Sequence, residues 1–101
     1  MAYQESLVAL ADPTRRVVYE SLVRAPQPVG VLAQGAGVSR PAVSQHLKVL
    51  RAAGLVGVTP KGASNIYHAE KDGLAALRGY LDGLWGDVLQ AFAAEIEKDK
   101  A

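Results

Sequence analysis

The sequence contains no cysteine, which excludes disulfides, thiolate metal sites and thiol redox sensing together. Histidine occurs only at His46 and His68, too far apart along the chain to suggest converging ligands. His68-x-Glu70-x-Asp72 is the one local cluster, and alternate spacing at a strand-to-helix junction is weak ground for a metal. No metal or cofactor is expected. No apolar run approaches the roughly 20 residues needed to span a bilayer. Glu5 interrupts the first apolar segment and no basic stretch precedes it, so neither a signal peptide nor a membrane partner is expected and the default location is the cytoplasm. There is no Ser/His/Asp constellation, no phosphate-cradling glycine loop and no acid/base pair. Gly35-x-Gly37 is a turn signal only, and an enzyme is not expected.

Acidic residues are nearly missing from the middle of the chain. Between Pro13 and His68 the cations are Arg15, Arg16, Arg24, Arg40, Lys48, Arg51 and Lys61, and the only acid is Glu20, a net charge of +6. The remainder holds four cations against nine acids, a net −5, which together recover the +1 of the whole chain. A basic centre between acidic ends implies a polyanion partner for the centre and another task for the ends. Half of the 101 residues are apolar, enough for one globular domain over 1–101.

Taken in order, Tyr3 to Ala11 reads as a short apolar helix. Asp12-Pro13 supplies an N-cap and a first-turn proline for a helix to about Arg24, with Val17, Val18, Leu22 and Val23 inward. Arg15 and Arg16 lie in its first turn, where the dipole disfavours cations. Two readings stay open for them, an ion pair such as Arg16 with Glu20 or contact with DNA phosphate. Ala25-Pro26-Gln27-Pro28 breaks the chain. A helix from about Val29 to Gln34 follows, with Val31 and Leu32 as core candidates, and then the turn Gly35 to Val38.

Val38 to Gly54 carries the clearest signals. Ser39 is a good N-cap, Pro41 suits the first turn, and Gly54 suits the left-handed position after the last. Val43, Leu47 and Leu50 form an apolar stripe. Pro41, Ser44, Gln45, Lys48 and Ala52 lie opposite, flanked by Arg40 and Arg51. Two helices joined by a glycine-containing turn, the second with this polar face, make a helix-turn-helix. Leu55 to Thr59 and Asn65 to His68 read as strands around the breaker-rich turn Pro60 to Ser64. The expected fold is mainly α with a small β-hairpin wing over 55–68: four helices, two strands and a fifth helix, a winged helix-turn-helix whose DNA-binding core is 13–68.

Arg40, Pro41, Ser44 and Gln45 are the candidate base readers. Arg40 suits guanine, Gln45 adenine, and Ser44 several edges, while Pro41 and Ala42 suit thymine methyls. Ser39, Lys48, Lys61 and Asn65 are better placed for phosphates. His46 lies toward the core edge and reads as a half-buried hydrogen-bonded histidine in preference to a phosphate contact. His68 reads as structural or solvated.

From about Lys71 to Lys98 one long helix repeats Leu74, Leu77, Leu81, Leu84, Val88 and Phe92 at steps of three and four. Trp85, Leu89 and Ile96 widen the stripe. That exceeds what a terminal helix needs to cap a small domain, so this helix and the one within 1–11 read as dimerisation elements, with Leu7, Leu10, Leu77, Leu81, Leu84, Trp85 and Val88 as candidate contacts. Gly79, Gly83 and Gly86 fall on the opposite side, each costing about 1 kcal/mol relative to alanine. Either they are tolerated on an exposed face or a second backbone approaches them.

Leu10-Ala11-Asp12-Pro13-Thr14-Arg15-Arg16, followed by Val38-Ser39-Arg40-Pro41-Ala42-Val43-Ser44-Gln45-His46-Leu47-Lys48-Val49-Leu50-Arg51-x-x-Gly54-Leu55-Val56, resembles the arsenic-repressor-type (ArsR/SmtB) winged-helix repressors over almost the whole chain. The resemblance implies an obligate homodimer built on the first and last helices. It also implies two recognition helices in successive major grooves of an inverted repeat, roughly 34 Å apart, with repression by promoter occlusion. Metal-sensing members carry cysteines on the helix before the turn, here Val29-Gly30-Val31-Leu32-Ala33, or histidines and acids on the last helix, which here has no histidine. The chain thus resembles the metal-independent subgroup, with any small-molecule effector unspecified. The other function class is a protein–protein co-regulator using the winged fold without reading DNA; the basic centre argues against it.

Overall fold

The computed structural model describes residues 3–100. Residues 1, 2 and 101, included in the expected domain and, for the first two, in the expected dimerisation segment 1–11, lie outside the described residues. The elements in chain order are α1 (Tyr3–Ala11), α2 (Pro13–Arg24), β1 (Gln27–Pro28), α3 (Val29–Ala36), α4 (Arg40–Ala52), β2 (Val56–Lys61), β3 (Ser64–Ala69) and α5 (Asp72–Lys100). The boundaries follow local chemistry. The Asp12 carboxylate accepts from the Arg15 amide at 3.0 Å to start α2, and the Ser39 hydroxyl accepts from the Ala42 amide at 3.3 Å to start α4. Gly37 ends α3 at φ +68°, its N–H donating back to the carbonyls of Ala33 and Gln34. That left-handed backbone strains a residue with a side chain.

The core is assembled around α4. Val43, Leu47 and Leu50 are buried with Val18, Leu22, Leu32 and Leu55, so the polar face of α4 is held outward by its own apolar stripe. Tyr19 joins this core, and burial pushes its phenol up from the usual tyrosine range. Three residues read as inward are not: Val17, Val23 and Val31 are about half exposed. They sit on the flanks of α2 and α3, where a short amphipathic helix carries more apolar residues than its single contact face can cover.

The sheet is larger than a hairpin. β3 pairs with β2 from Val56↔Ala69 to Lys61↔Ser64, and β1 adds an antiparallel edge through Gln27↔Tyr67 and Pro28↔Ile66. Gln27 and Pro28, read as a chain break, are therefore a strand, tolerated as such because they lie at an edge. The turn is also shorter than the breakers imply. Pro60 and Lys61 stay in β2 and Ser64 starts β3, so only Gly62 and Ala63 turn the chain, with Gly62 at φ +59°.

α5 begins inside the domain and then leaves it. The Gly73 amide donates to the Gly54 carbonyl at 3.0 Å, and the buried Ser6 hydroxyl donates to the Gly73 carbonyl at 2.7 Å. A side chain at Gly73 would collide with the Ala53 carbonyl, so only glycine lets α5 start this close to α4. Tyr3 stacks on Tyr80 with ring centroids 3.9 Å apart, joining α1 to the next turns of α5. Every described side chain from Leu81 onward is exposed.

Candidate nucleic-acid interface

The outer surface of α4 presents Arg40, Pro41, Ser44, Gln45 and Lys48 to solvent, with Ala42 half-buried. Ser39 is exposed, and its oxygen is engaged as the helix cap; its hydroxyl hydrogen remains available to a phosphate oxygen. Lys61 and Asn65 are exposed on the wing strands. α4 and β3 bring Arg40, Ser44, Lys48 and Asn65 around Tyr67, which two open clefts flank. One, of about 500 Å³, lies between α3, the start of α4 and β3, and is lined by Gly30, Gln34, Arg40, Ser64 and Asn65 among others. The second, of about 340 Å³, is lined by Ser44, Lys48, Arg51 and Ala52. Neither cleft contains an acidic residue. A concave surface rich in hydrogen-bonding groups and cations, with no carboxylate, favours a polyanion.

Arg40 is not placed as its neighbours are. At 3.6 residues per turn it shares an azimuth with Leu47, two turns on, rather than with Lys48. It therefore lies on the flank of α4 nearest the core, and its guanidinium rests against Gly30 of α3. A Cβ at Gly30 would stand 2.6 Å from Nη2 and 3.0 Å from Cζ of Arg40. Nothing in the sequence marked this contact, because the two residues lie on different helices and Gly30 has no side chain to signal a role.

The two first-turn arginines of α2 make contacts that neither reading named. Arg15 donates from Nε to the Ala9 carbonyl at 2.6 Å, and Arg16 from Nη1 to the Leu10 carbonyl at 2.9 Å. Both close the C-terminus of α1, where the dipole is negative and carbonyls lack helical partners. Among the described residues Glu20 makes no ion pair. Arg15 also reaches His46, with Nη1 3.5 Å from Nδ1, and His46 is half-buried, as its position on α4 suggested. The Arg15 amide, and less strongly the nearby charges of Arg15 and His46, hold the Asp12 carboxyl below the usual carboxylate range.

On the wing, His68 and Glu70 pair at 3.4 Å between Nδ1 and Oε1. Among the described residues no group of three potential metal ligands converges.

The candidate dimer contacts divide. Leu10 is half-buried against this chain's own core, and Leu77 is half-buried. Leu7, Leu81, Leu84, Trp85 and Val88 are exposed, as are Leu89, Phe92 and Ile96 beside them. On the other side of α5, a Cβ at Gly79, Gly83 or Gly86 would meet nothing within 4 Å.

Comparison with known proteins accords with this arrangement. Residues 10–59 match a helix-turn-helix domain family. The chain is 50% identical over 91 residues to the HTH-type transcriptional regulator Rv2034 of Mycobacterium tuberculosis, covering 90% of this chain and 85% of that protein. Its fold superposes on an ArsR-like transcriptional regulator from Rhodococcus sp. RHA1 with a TM-score of 0.81 at 32% identity, covering 91% of this chain and 87% of the other. NolR from Sinorhizobium fredii superposes with a TM-score of 0.67 at 35% identity, over 82% of this chain and 83% of that one. Sequence, fold and the acid-free surface of α4 agree: the chain belongs to the ArsR-type winged helix-turn-helix transcriptional regulators.

Proposed function

We propose that this regulator is a homodimeric, sequence-specific repressor that occludes an inverted-repeat operator. The observation that carries the reading is the pairing of two unlike surfaces on one small chain. An acid-free face of α4 and β3 suits DNA, and a bare apolar stripe on α5 needs a partner. Two copies joined through α1 and α5 place two α4 helices for successive major grooves, spaced by about one helical turn of DNA. Within each half-site Ser44 and Gln45 supply hydrogen bonds to base edges, and Pro41 and Ala42 apolar contact to thymine methyls. Ser39, Lys48, Lys61 and Asn65 meet phosphates, which fix register without reading sequence. His46 supports α4 through Arg15.

Regulation proceeds without a thiolate metal site, since the chain has no cysteine. The protein acts in the cytoplasm on double-stranded DNA, has no catalytic step, and leaves the chemistry of any effector open. No described helix is long and apolar enough to cross a membrane. The co-regulator alternative, a winged fold that binds protein and ignores DNA sequence, is disfavoured by the net +6 between Pro13 and His68.

The deciding experiment is a gel shift on the DNA upstream of the protein's own gene, repeated across salt concentrations. Binding should weaken with salt at a slope near −0.9 per phosphate neutralised. Gln45→Ala should cost about 1–3 kcal/mol on the operator and relax preference at one position. Lys61→Ala should weaken all duplexes alike. If Gln45→Ala binds every sequence as the wild type does, base reading does not reside on α4.

A further inference from the structure

The contact between Arg40 and Gly30 has a functional reading, which rests on the DNA-binding assignment of α4. We propose that Gly30 is a positioning residue for Arg40, holding its guanidinium on the flank of the recognition helix to grip a DNA backbone phosphate instead of a base edge.

Three observations converge. The first is steric. With no Cβ at Gly30, the guanidinium packs onto the α3 backbone; a methyl there would stand 2.6, 3.0 and 3.4 Å from Nη2, Cζ and Nε of Arg40. Nη2 and Cζ would be crowded and Nε left in ordinary contact, so the guanidinium would have to shift from this position. The second is angular. Arg40 shares the azimuth of buried Leu47 and lies about 140° from Gln45, near the centre of the exposed face. A helix lying in a major groove turns its central face to the bases and its flanks to the groove walls, which are sugar and phosphate. The third is chemical. Arg40 opens into the cleft it shares with Ser64 and Asn65 of β3, whose lining contains no acid, and it forms no ion pair among the described residues. Its charge is thus unspent in the free protein. Its planar fork of donors suits two phosphate oxygens, and the hydroxyl and amide beside it can take others.

The role of Gly30 is not conformational. It lies inside α3 without a positive φ, so alanine fits the backbone and is the better helix former. What alanine removes is the seat for Arg40.

The test is a double-mutant cycle on the full chain with Gly30→Ala, Arg40→Ala and the double variant. Two duplexes of equal length are titrated across salt, an operator selected from random DNA and a mixed-sequence control. Arg40→Ala should weaken both by a similar factor, about tenfold per protomer, as for loss of a charged hydrogen bond. Its salt slope should fall by about 0.9 per protomer. Gly30→Ala should weaken both duplexes with no loss of melting temperature, and adding it to Arg40→Ala should change nothing further.

Gly30→Ala that binds as wild type while Arg40→Ala does not would overturn the positioning role. Arg40→Ala that leaves the mixed-sequence duplex untouched and alters preference at one operator position would show that Arg40 reads a base, and the phosphate assignment would fall. Wild type with no salt-dependent binding to either duplex would instead remove the DNA-binding reading itself.

Discussion

The helix-turn-helix core and the far half of α5 use similar residues in opposite ways. In the core, Leu22, Leu32, Leu47, Leu50 and Leu55 are at most 2% exposed. On α5, Leu81, Leu84 and Leu89 are about half exposed, and Trp85 and Phe92 about two-thirds. Burying a large apolar side chain is worth about 1.5–3 kcal/mol, so the core has collected that gain within one chain and α5 has not. The core side chains are covered within one chain; those of the far half of α5 are not.

That contrast can be broken most severely from inside. Leu47→Ala should lower stability by about 2–5 kcal/mol, read by urea unfolding, with a midpoint shift that does not depend on protein concentration. Trp85→Ala should do the reverse in kind. Loss of a central aromatic anchor costs about 2 kcal/mol or more of association, so sedimentation should show dissociation and the melting temperature should become more dependent on concentration. If Trp85→Ala stays fully dimeric at the dilutions where wild type begins to dissociate, the stripe is not the interface.

Gly83→Leu sharpens the comparison on the other face of α5. Leucine is the better helix former by nearly 1 kcal/mol, and a single chain offers nothing for it to strike. A variant that melts higher and remains dimeric marks an exposed face. One that dimerises less marks a second backbone against these glycines, which is the outcome we expect.

The smallest effect lies at Asp12. Its carboxyl is held below the ordinary 3.8 by the Arg15 amide, so the stability it contributes is present above that value and lost as pH falls through the lowered one. The melting gap between wild type and Asp12→Ala should therefore be open at neutral pH and close in acid. A gap that widens in acid would contradict the cap.

Local chemistry was legible in the sequence where one segment carries its own instructions. Ser39, Pro41 and Gly54 bracket α4, and Val43, Leu47 and Leu50 orient it, all within one helix. What depends on a distant partner was not. Gln27 and Pro28 are a strand only because Tyr67 and Ile66 run beside them. Arg15 and Arg16 serve the helix before their own, so neither Glu20 nor an outside phosphate was needed to account for them. Val17, Val23 and Val31 continue an apolar period past the face that is covered. Likewise, repeated leucines on α5 announce that burial is needed without saying which chain supplies it.

The junction at Gly73 gives the comparison its mechanical meaning. The amide that opens α5 is bonded to the residue that closes α4, and Ser6 of α1 donates to the carbonyl of that same Gly73. α4 and α5 therefore meet at a hydrogen-bonded corner shared with α1. In the proposed dimer, the angle between two copies of α5 would be passed through that corner to the two α4 helices. A few degrees at that corner, carried along a helix of about 43 Å at 1.5 Å per residue, amount to ångströms at its far end, so in the proposed dimer the spacing of the two α4 helices on DNA would be set by a square whose long arm is α5.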